Sequence, residues 1–224
     1  MEIFSYILTA LAAYLLGSIP TGYLVAKAKG VDIRSVGSGN IGATNVFRIL
    51  GKQAGIFVLL VDALKGWVAV VAIVNFYPAL RDALPSLFSS AEGTAGQVRE
   101  YLGIIAGVSA ILGHNYTCFL RFKGGKGIAT TAGVLVALVP MALLIVLGVW
   151  ILTFAVSRYV SLASITAAFC LPFGVWALNG SRLMLLVTSL LALLAIYKHK
   201  ANIQRLLNGT ENRIGKKKKT EVAK

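Results

Sequence analysis

Acidic side chains are scarce in this chain, eight Asp and Glu against 22 Lys and Arg, for a formal net charge of +14. The few carboxylates are scattered from Glu2 to Glu221, so no acidic cluster exists that could hold magnesium. Cysteine is almost absent too. Cys118 and Cys170 lie in or beside apolar runs, far from any CxxC spacing, which excludes a zinc site or a disulfide framework and reads as small core residues. Charge of either sign makes up only 13% of the residues while 57% are hydrophobic, a balance that excludes an ordinary soluble domain. No basic, aromatic-studded soluble segment is present to cradle a nucleic acid strand, so no such partner is expected. The first apolar run follows Met1 and Glu2 without a basic leader, and therefore reads as a retained membrane span rather than a signal peptide.

What the sequence does have is apolar length. A bilayer-crossing helix needs about 20 mostly apolar residues. Such runs cover roughly Ile3 to Ala26, Gly55 to Tyr77, Tyr101 to Leu120, Ser161 to Leu178 and Leu183 to Tyr197. A further run of 29 residues from Ile128 to Val156 has Pro140 near its middle. Basic residues near helix ends stay in the cytoplasm, and this decides how to read the long run. One helix there would put the basic segment from Lys198 onward on the opposite side from Arg121, Lys123 and Lys126. Two short helices turning near Pro140 put both inside. The expectation is an all-α polytopic membrane protein of seven transmembrane helices, N-terminus outside and C-terminus cytoplasmic. The inner side then holds five basic residues from Lys27 to Lys52, three from Arg121 to Lys126, Arg158, and nine from Lys198 on. The connection from Pro78 to Glu100 reads as a plain outer loop. Residues 1–224 are expected to form a single domain, with 214–224 a basic, flexible tail whose Lys216 to Lys219 run suits anionic lipid.

Three inner segments are unlike linkers. The first, from Gly30 to Gly51, contains GSGNIGATNVFRILG. Its glycines, Gly37 and Gly39 among them, permit unusual backbone angles and close ligand approach, and Ser38, Asn40, Thr44, Asn45 and Arg48 supply side-chain donors, a composition suited to phosphate. The second, GHNYTCFLRFKGGKG, ends at Gly127 just before a new helix and places Lys126 near that helix's positive end, where anions are favoured. It is not a Walker A loop, since Leu120 and Gly127 stand where Gly and Ser or Thr are required. In the third, from Lys198 to Glu211, helical continuation of the last span places His199 and Asn202 three apart on one face, with Arg205 and Leu206 just beyond. His114 reads as a packed polar residue near a helix end. Asp62 and Lys65, three apart in an apolar helix, read as a structural ion pair. An anion transporter is a rival reading, but no internal repeat is evident. A CDP-alcohol phosphotransferase would need the acidic metal motif that this chain lacks. Neither HExxH nor a nucleophile elbow is present.

Taken together, the two glycine-rich motifs, RYVSLAS at 158 to 164 and HKANIQRLLNGTE at 199 to 211 resemble the bacterial acyl-phosphate:glycerol-3-phosphate acyltransferase family across nearly the whole chain. The resemblance implies a seven-helix enzyme of the bacterial inner membrane with its active site at the cytoplasmic face. It would move a fatty acyl group from acyl phosphate to the sn-1 hydroxyl of glycerol 3-phosphate, giving lysophosphatidic acid and phosphate as an early step of phospholipid biosynthesis. It implies catalytic roles for Ser38, Arg48, Lys126, His199 and Asn202, a place for Ser164 in the site, a glycerol-phosphate loop from Gly124, Gly125 and Gly127, and a structural brace in Glu211. No cofactor, metal or protein partner is expected beyond the two substrates and membrane lipid. Relatives often carry Pro where this chain has Thr117, at the turn after Tyr116.

Overall fold

Every regular element among the described residues is helical. The computed structural model describes residues 2–83 and 95–215. In chain order the helices are α1 (Glu2–Ser18), α2 (Thr21–Ala28), α3 (Ala43–Leu50), α4 (Lys52–Ala83), α5 (Ala95–Asn115), a 3-10 turn (Cys118–Leu120), α6 (Ile128–Leu138), α7 (Pro140–Ser157), α8 (Val160–Ala177), α9 (Arg182–Lys198) and α10 (Lys200–Leu207). They fall into two units, Met1–Pro140 and Met141–Lys224.

In the first unit α1 packs on α5, and α4 packs on α6, α3 and α5. Lipid tails are as apolar as leucine, so helices in a bilayer associate through close backbone approach at small residues. The contacts follow that rule. Ala13, Ala69, Ala106 and Ala110 form one buried cluster, and a Cβ on Gly17 would collide with the Ala110 backbone. A Cβ on Gly133 of α6 would likewise strike the Ala63 carbonyl of α4. A second cluster, Ala26, Ile33, Ile41, Val46, Val58 and Leu120, fixes the segment between α2 and α3 onto α4. In the second unit α8 packs on α9 and is touched by α10.

Five stretches among the described residues are long and apolar enough to cross a bilayer: Ile3–Ala28, Lys52–Ala79, Gly96–Leu120, Pro140–Ser157 and Val160–Ala177. A sixth is reached if α9 and α10 are taken as one bent span. The run from Ile128 to Val156 is indeed two helices, broken at Val139 beside Pro140. However, α6 has only 11 residues, roughly 16 Å of helix, about half the hydrocarbon thickness. Three boundaries differ from the sequence reading. The first span breaks at Ile19–Pro20, where Pro20 precedes the first residue of α2. Pro78 does not start a loop, because α4 runs through it to Ala83 and α5 begins at Ala95, and residues 84–94 lie outside the described ones. The last span does not continue straight, since α9 and α10 meet at a 57° bend at His199. Cys118 and Cys170 are half-buried free thiols rather than core residues. The Lys216 to Lys219 run lies outside the described residues.

Candidate active site

The first glycine-rich segment is a loop held from both ends by its own apolar residues. Ile33 and Ile41 are buried, and fully burying such a side chain is worth about 2 kcal/mol, so the stretch between them is pinned while its polar residues face outward. Asn45, in the first turn of α3, sets the loop's shape. Its side-chain oxygen accepts from the Ser38 N–H at 2.9 Å, and its amide donates to the carbonyls of Ile33 at 3.2 Å and Val36 at 3.1 Å. Gly37 turns with a φ of +63°, and a Cβ there would collide with the Asn45 oxygen. Asn40 accepts from the Gly42 N–H at 2.8 Å, shaping the turn into α3. Asn45 and Asn40 thus spend these side-chain groups on the loop itself, whereas Ser38, Thr44 and Arg48 are exposed. Arg34 is bidentate to Asp32 at 2.9 and 2.8 Å, and those hydrogen bonds hold the Asp32 carboxyl down at about 2. Arg48 differs. It reaches the Asn45 oxygen at 3.5 Å but meets no carboxylate among the described residues, which leaves its charge for an anion.

The second glycine-rich segment is tethered to α1. Tyr14 donates to the Tyr116 carbonyl at 2.6 Å, and Thr117 donates to the Ser18 carbonyl at 2.6 Å. The Thr117 oxygen also caps the 3-10 turn by accepting from the Phe119 N–H at 3.3 Å. Its φ of −63° is the angle a proline would impose, so threonine preserves the turn and adds an anchor. The chain then folds back on the end of α5, with the N–H of Gly124 donating to Asn115 O at 3.2 Å and that of Gly125 to His114 O at 3.0 Å. Gly127, at φ +81°, caps α6, and a Cβ there would come within 2.7 Å of the Asn115 side-chain oxygen. Half-buried Lys126 is therefore set just ahead of the α6 N-terminus, where helix dipole and ammonium add up.

In the second unit the third motif is organised by Glu211. One carboxylate oxygen accepts from Asn202 at 2.9 Å and from Ser161 at 3.1 Å, and the other accepts from Arg205 at 2.7 Å. Burial pushes this carboxyl up, and the hydrogen bonds from Asn202 and Arg205 outweigh it, so its pKa lies below the ordinary glutamate value of 4.5. His199 and Asn202 are both buried at the α9–α10 bend. The His199 Nδ1 lies 2.7 Å from the Ala195 carbonyl, which can only accept, so Nδ1 carries the proton and Nε2 is the basic nitrogen of the neutral ring. Ser164 is also buried, donating to Val160 O at 2.9 Å and accepting from Trp150 at 3.2 Å. The turn that precedes it, with Arg158 at φ +61°, is held by Arg213, which donates to the Ser157 carbonyl at 3.1 Å, and by the Ile214 N–H, which donates to Arg158 O at 3.0 Å.

The family model described as glycerol-3-phosphate acyltransferase matches residues 7–209. This chain belongs to the glycerol-3-phosphate acyltransferase family. It is 47% identical over 208 residues to the glycerol-3-phosphate acyltransferase of Geotalea daltonii, covering 93% of this chain and 97% of that protein. It is 44% identical over 220 residues to the one from Clostridioides difficile, with 97% and 100% covered. Two crystal structures of PlsY, an integral membrane glycerol 3-phosphate acyltransferase, superpose with TM-scores of 0.80 and 0.78 at 40% and 39% identity, covering 94% of this chain and 96% of that one. One is the glycerol 3-phosphate form and the other the lysophosphatidic acid form. With its apolar helices, this member of the acyltransferase family is a multi-pass bacterial membrane protein.

Sequence reasoning missed Tyr14, Ser18 and Arg213, which anchor the motif loops. Nothing in their local sequence marks them, because each donates to a backbone carbonyl distant in the chain, Tyr14 to Tyr116, Ser18 to Gly113 at 3.3 Å and Arg213 to Ser157.

Proposed function

We propose that this chain transfers a fatty acyl group from acyl phosphate to the sn-1 hydroxyl of glycerol 3-phosphate, releasing lysophosphatidic acid and phosphate. The observation that carries the reading is the exposed Arg48 on a loop whose shape Asn45 fixes, a guanidinium with no carboxylate partner among the described residues. Both substrates bear phosphate, and PlsY itself has been seen with glycerol 3-phosphate and with lysophosphatidic acid.

Acyl phosphate is already activated, so direct attack suffices. The sn-1 oxygen bonds to the acyl carbon, the bond from that carbon to the phosphate oxygen breaks, and the hydroxyl proton leaves to a base. Positioning does most of the work. Arg48 and Lys126 stabilise charge developing on the leaving phosphate, and Ser38 and Asn202 hold it. Gly37, Gly39, Asn40, Thr44 and Asn45 shape or line the first loop, Gly124, Gly125 and Gly127 receive glycerol 3-phosphate, and Ser164 serves the same reaction. Glu211 braces Asn202. The base is the substrate's own phosphate, whose second pKa is about 6, with His199 as a hydrogen-bonding group. No cofactor or protein partner takes part, and residues 1–224 act as one enzyme that crosses the membrane seven times, N-terminus outside, with the reaction on the cytoplasmic face.

The test is the purified chain in lipid with labelled glycerol 3-phosphate. Acyl phosphate should yield 1-acyl-glycerol 3-phosphate, and an acyl thioester should not. Transfer from the thioester alone, or acylation at sn-2, would contradict the assignment.

A further inference from the structure

Asp62, Lys65 and His114 are almost wholly buried, with 2%, 5% and 6% of their surface exposed, and the reaction just described uses none of them. Asp62 sits ten residues into α4, about 15 Å from its start. Ionisable groups at such depth are costly and mark function more often than not.

Their geometry joins two places that are otherwise far apart in sequence. One is the break between α1 and α2. There the Ile19 carbonyl accepts from the Lys65 ammonium at 2.8 Å, and the Thr21 hydroxyl donates to Asp62 Oδ1 at 3.0 Å. The same Oδ1 lies 2.8 Å from the Lys65 ammonium and 3.6 Å from His114 Nδ1. The other place is the second glycine-rich segment. His114 accepts the Gly125 N–H on its backbone carbonyl, and its ring sits so close to Gly125 that a Cβ there would collide with Nε2. The imidazole is a spacer with the Asp62–Lys65 pair on one edge and the loop on the other.

We infer that Asp62, Lys65 and His114 are positioning residues that set the glycine-rich loop 122–127 for the phosphate of glycerol 3-phosphate. The inference rests on the reading of that loop as the glycerol-phosphate site. A buried ion pair is weak evidence for stability, since apolar residues of similar volume often replace it without loss. Its value here is register. The charges fix where the ring stands, and the ring fixes Gly125.

The test uses the full chain reconstituted in bilayers, with Asp62→Asn, the apolar double variant Asp62→Leu with Lys65→Met, and His114→Asn. The asparagine amide can replace Nδ1 but leaves no edge against Gly125. Each variant should raise KM for glycerol 3-phosphate about tenfold or more, the scale of a misplaced positioning group, while KM for acyl phosphate changes less than about twofold. Amide hydrogen exchange across 122–127 should quicken with no matching change in α1. If Asp62→Asn does not fold, the double variant, which leaves no unpaired charge, carries the test. Unchanged KM for glycerol 3-phosphate in the folded double variant, or unchanged loop exchange, overturns the inference. Gly125→Ala tells that failure from failure of the underlying reading. If it leaves KM for glycerol 3-phosphate unchanged in an active enzyme, the loop is not the glycerol-phosphate site, and loop exchange alone then decides whether the buried cluster positions it.

Discussion

The backbone N–H of Ser38 donates to the side-chain oxygen of Asn45 at 2.9 Å, so a residue of α3 dictates how the loop presents its serine. The other end of the same side chain donates to two carbonyls, those of Ile33 and Val36. Asn45→Asp keeps the acceptor but turns a second oxygen onto both carbonyls. It should therefore destabilise the protein by on the order of 2 kcal/mol, the cost of buried groups left without partners, and lower activity sharply. Thermal unfolding and turnover check this. An Asp variant with wild-type values in both would show that the loop does not depend on the amide.

Glycines separate into those the packing requires and those it does not. Gly125→Ala places a Cβ against the His114 ring, whereas Gly148 lies mid-helix in α7 with nothing within 4 Å of a built Cβ. The first substitution should cost turnover and stability. Gly148→Ala should leave turnover intact and raise stability by up to about 1 kcal/mol, from helix propensity alone. Parallel melting curves and assays distinguish them.

Glu211 predicts a pH dependence. Its folded pKa lies below the ordinary 4.5, so the stability it contributes is fully present above about 4.5 and is lost as pH falls through the folded value. Glu211→Gln should accordingly lower Tm at neutral pH, and the gap to the unmodified protein should close on acidification below 4.5. A gap that stays constant from pH 7 to pH 3 would mean that the carboxylate charge is not what holds Asn202, Arg205 and Ser161 together.

His199 offers a test of the base. With the substrate phosphate as proton acceptor, His199→Ala should slow turnover yet keep the ionisation near pH 6 in its pH–rate profile. Disappearance of that limb, with substrate binding unchanged, would make His199 the base.

Much of this was legible in the sequence because it is carried by pattern. Apolar length marked the stretches near 3–26, 55–77, 101–120 and 161–178 that are long enough to cross a bilayer, the Asp62–Lys65 spacing marked an ion pair that forms at 2.8 Å, and Pro140 marked the break between α6 and α7. Gly127 stands where the second motif meets its helix, as expected. What the pattern could not reveal was long-range. Asn45 looked like a donor for substrate, and its amide in fact holds the loop's own carbonyls. Ser164 is expected in the site from its motif, and the hydrogen bonds that orient it, to Val160 and from Trp150, appear only in the structure. The bend at His199 has no Pro or Gly within four residues of it, so the local sequence gave no sign of it.

The most direct measurement of the central claim is steady-state acyl transfer from acyl phosphate to glycerol 3-phosphate by the purified chain, beside Arg48→Ala and Lys126→Ala. Removing a preorganised charge from the leaving phosphate should reduce kcat/KM by about a hundredfold or more in each variant, with both still folded. Turnover unaltered in both variants would contradict the account.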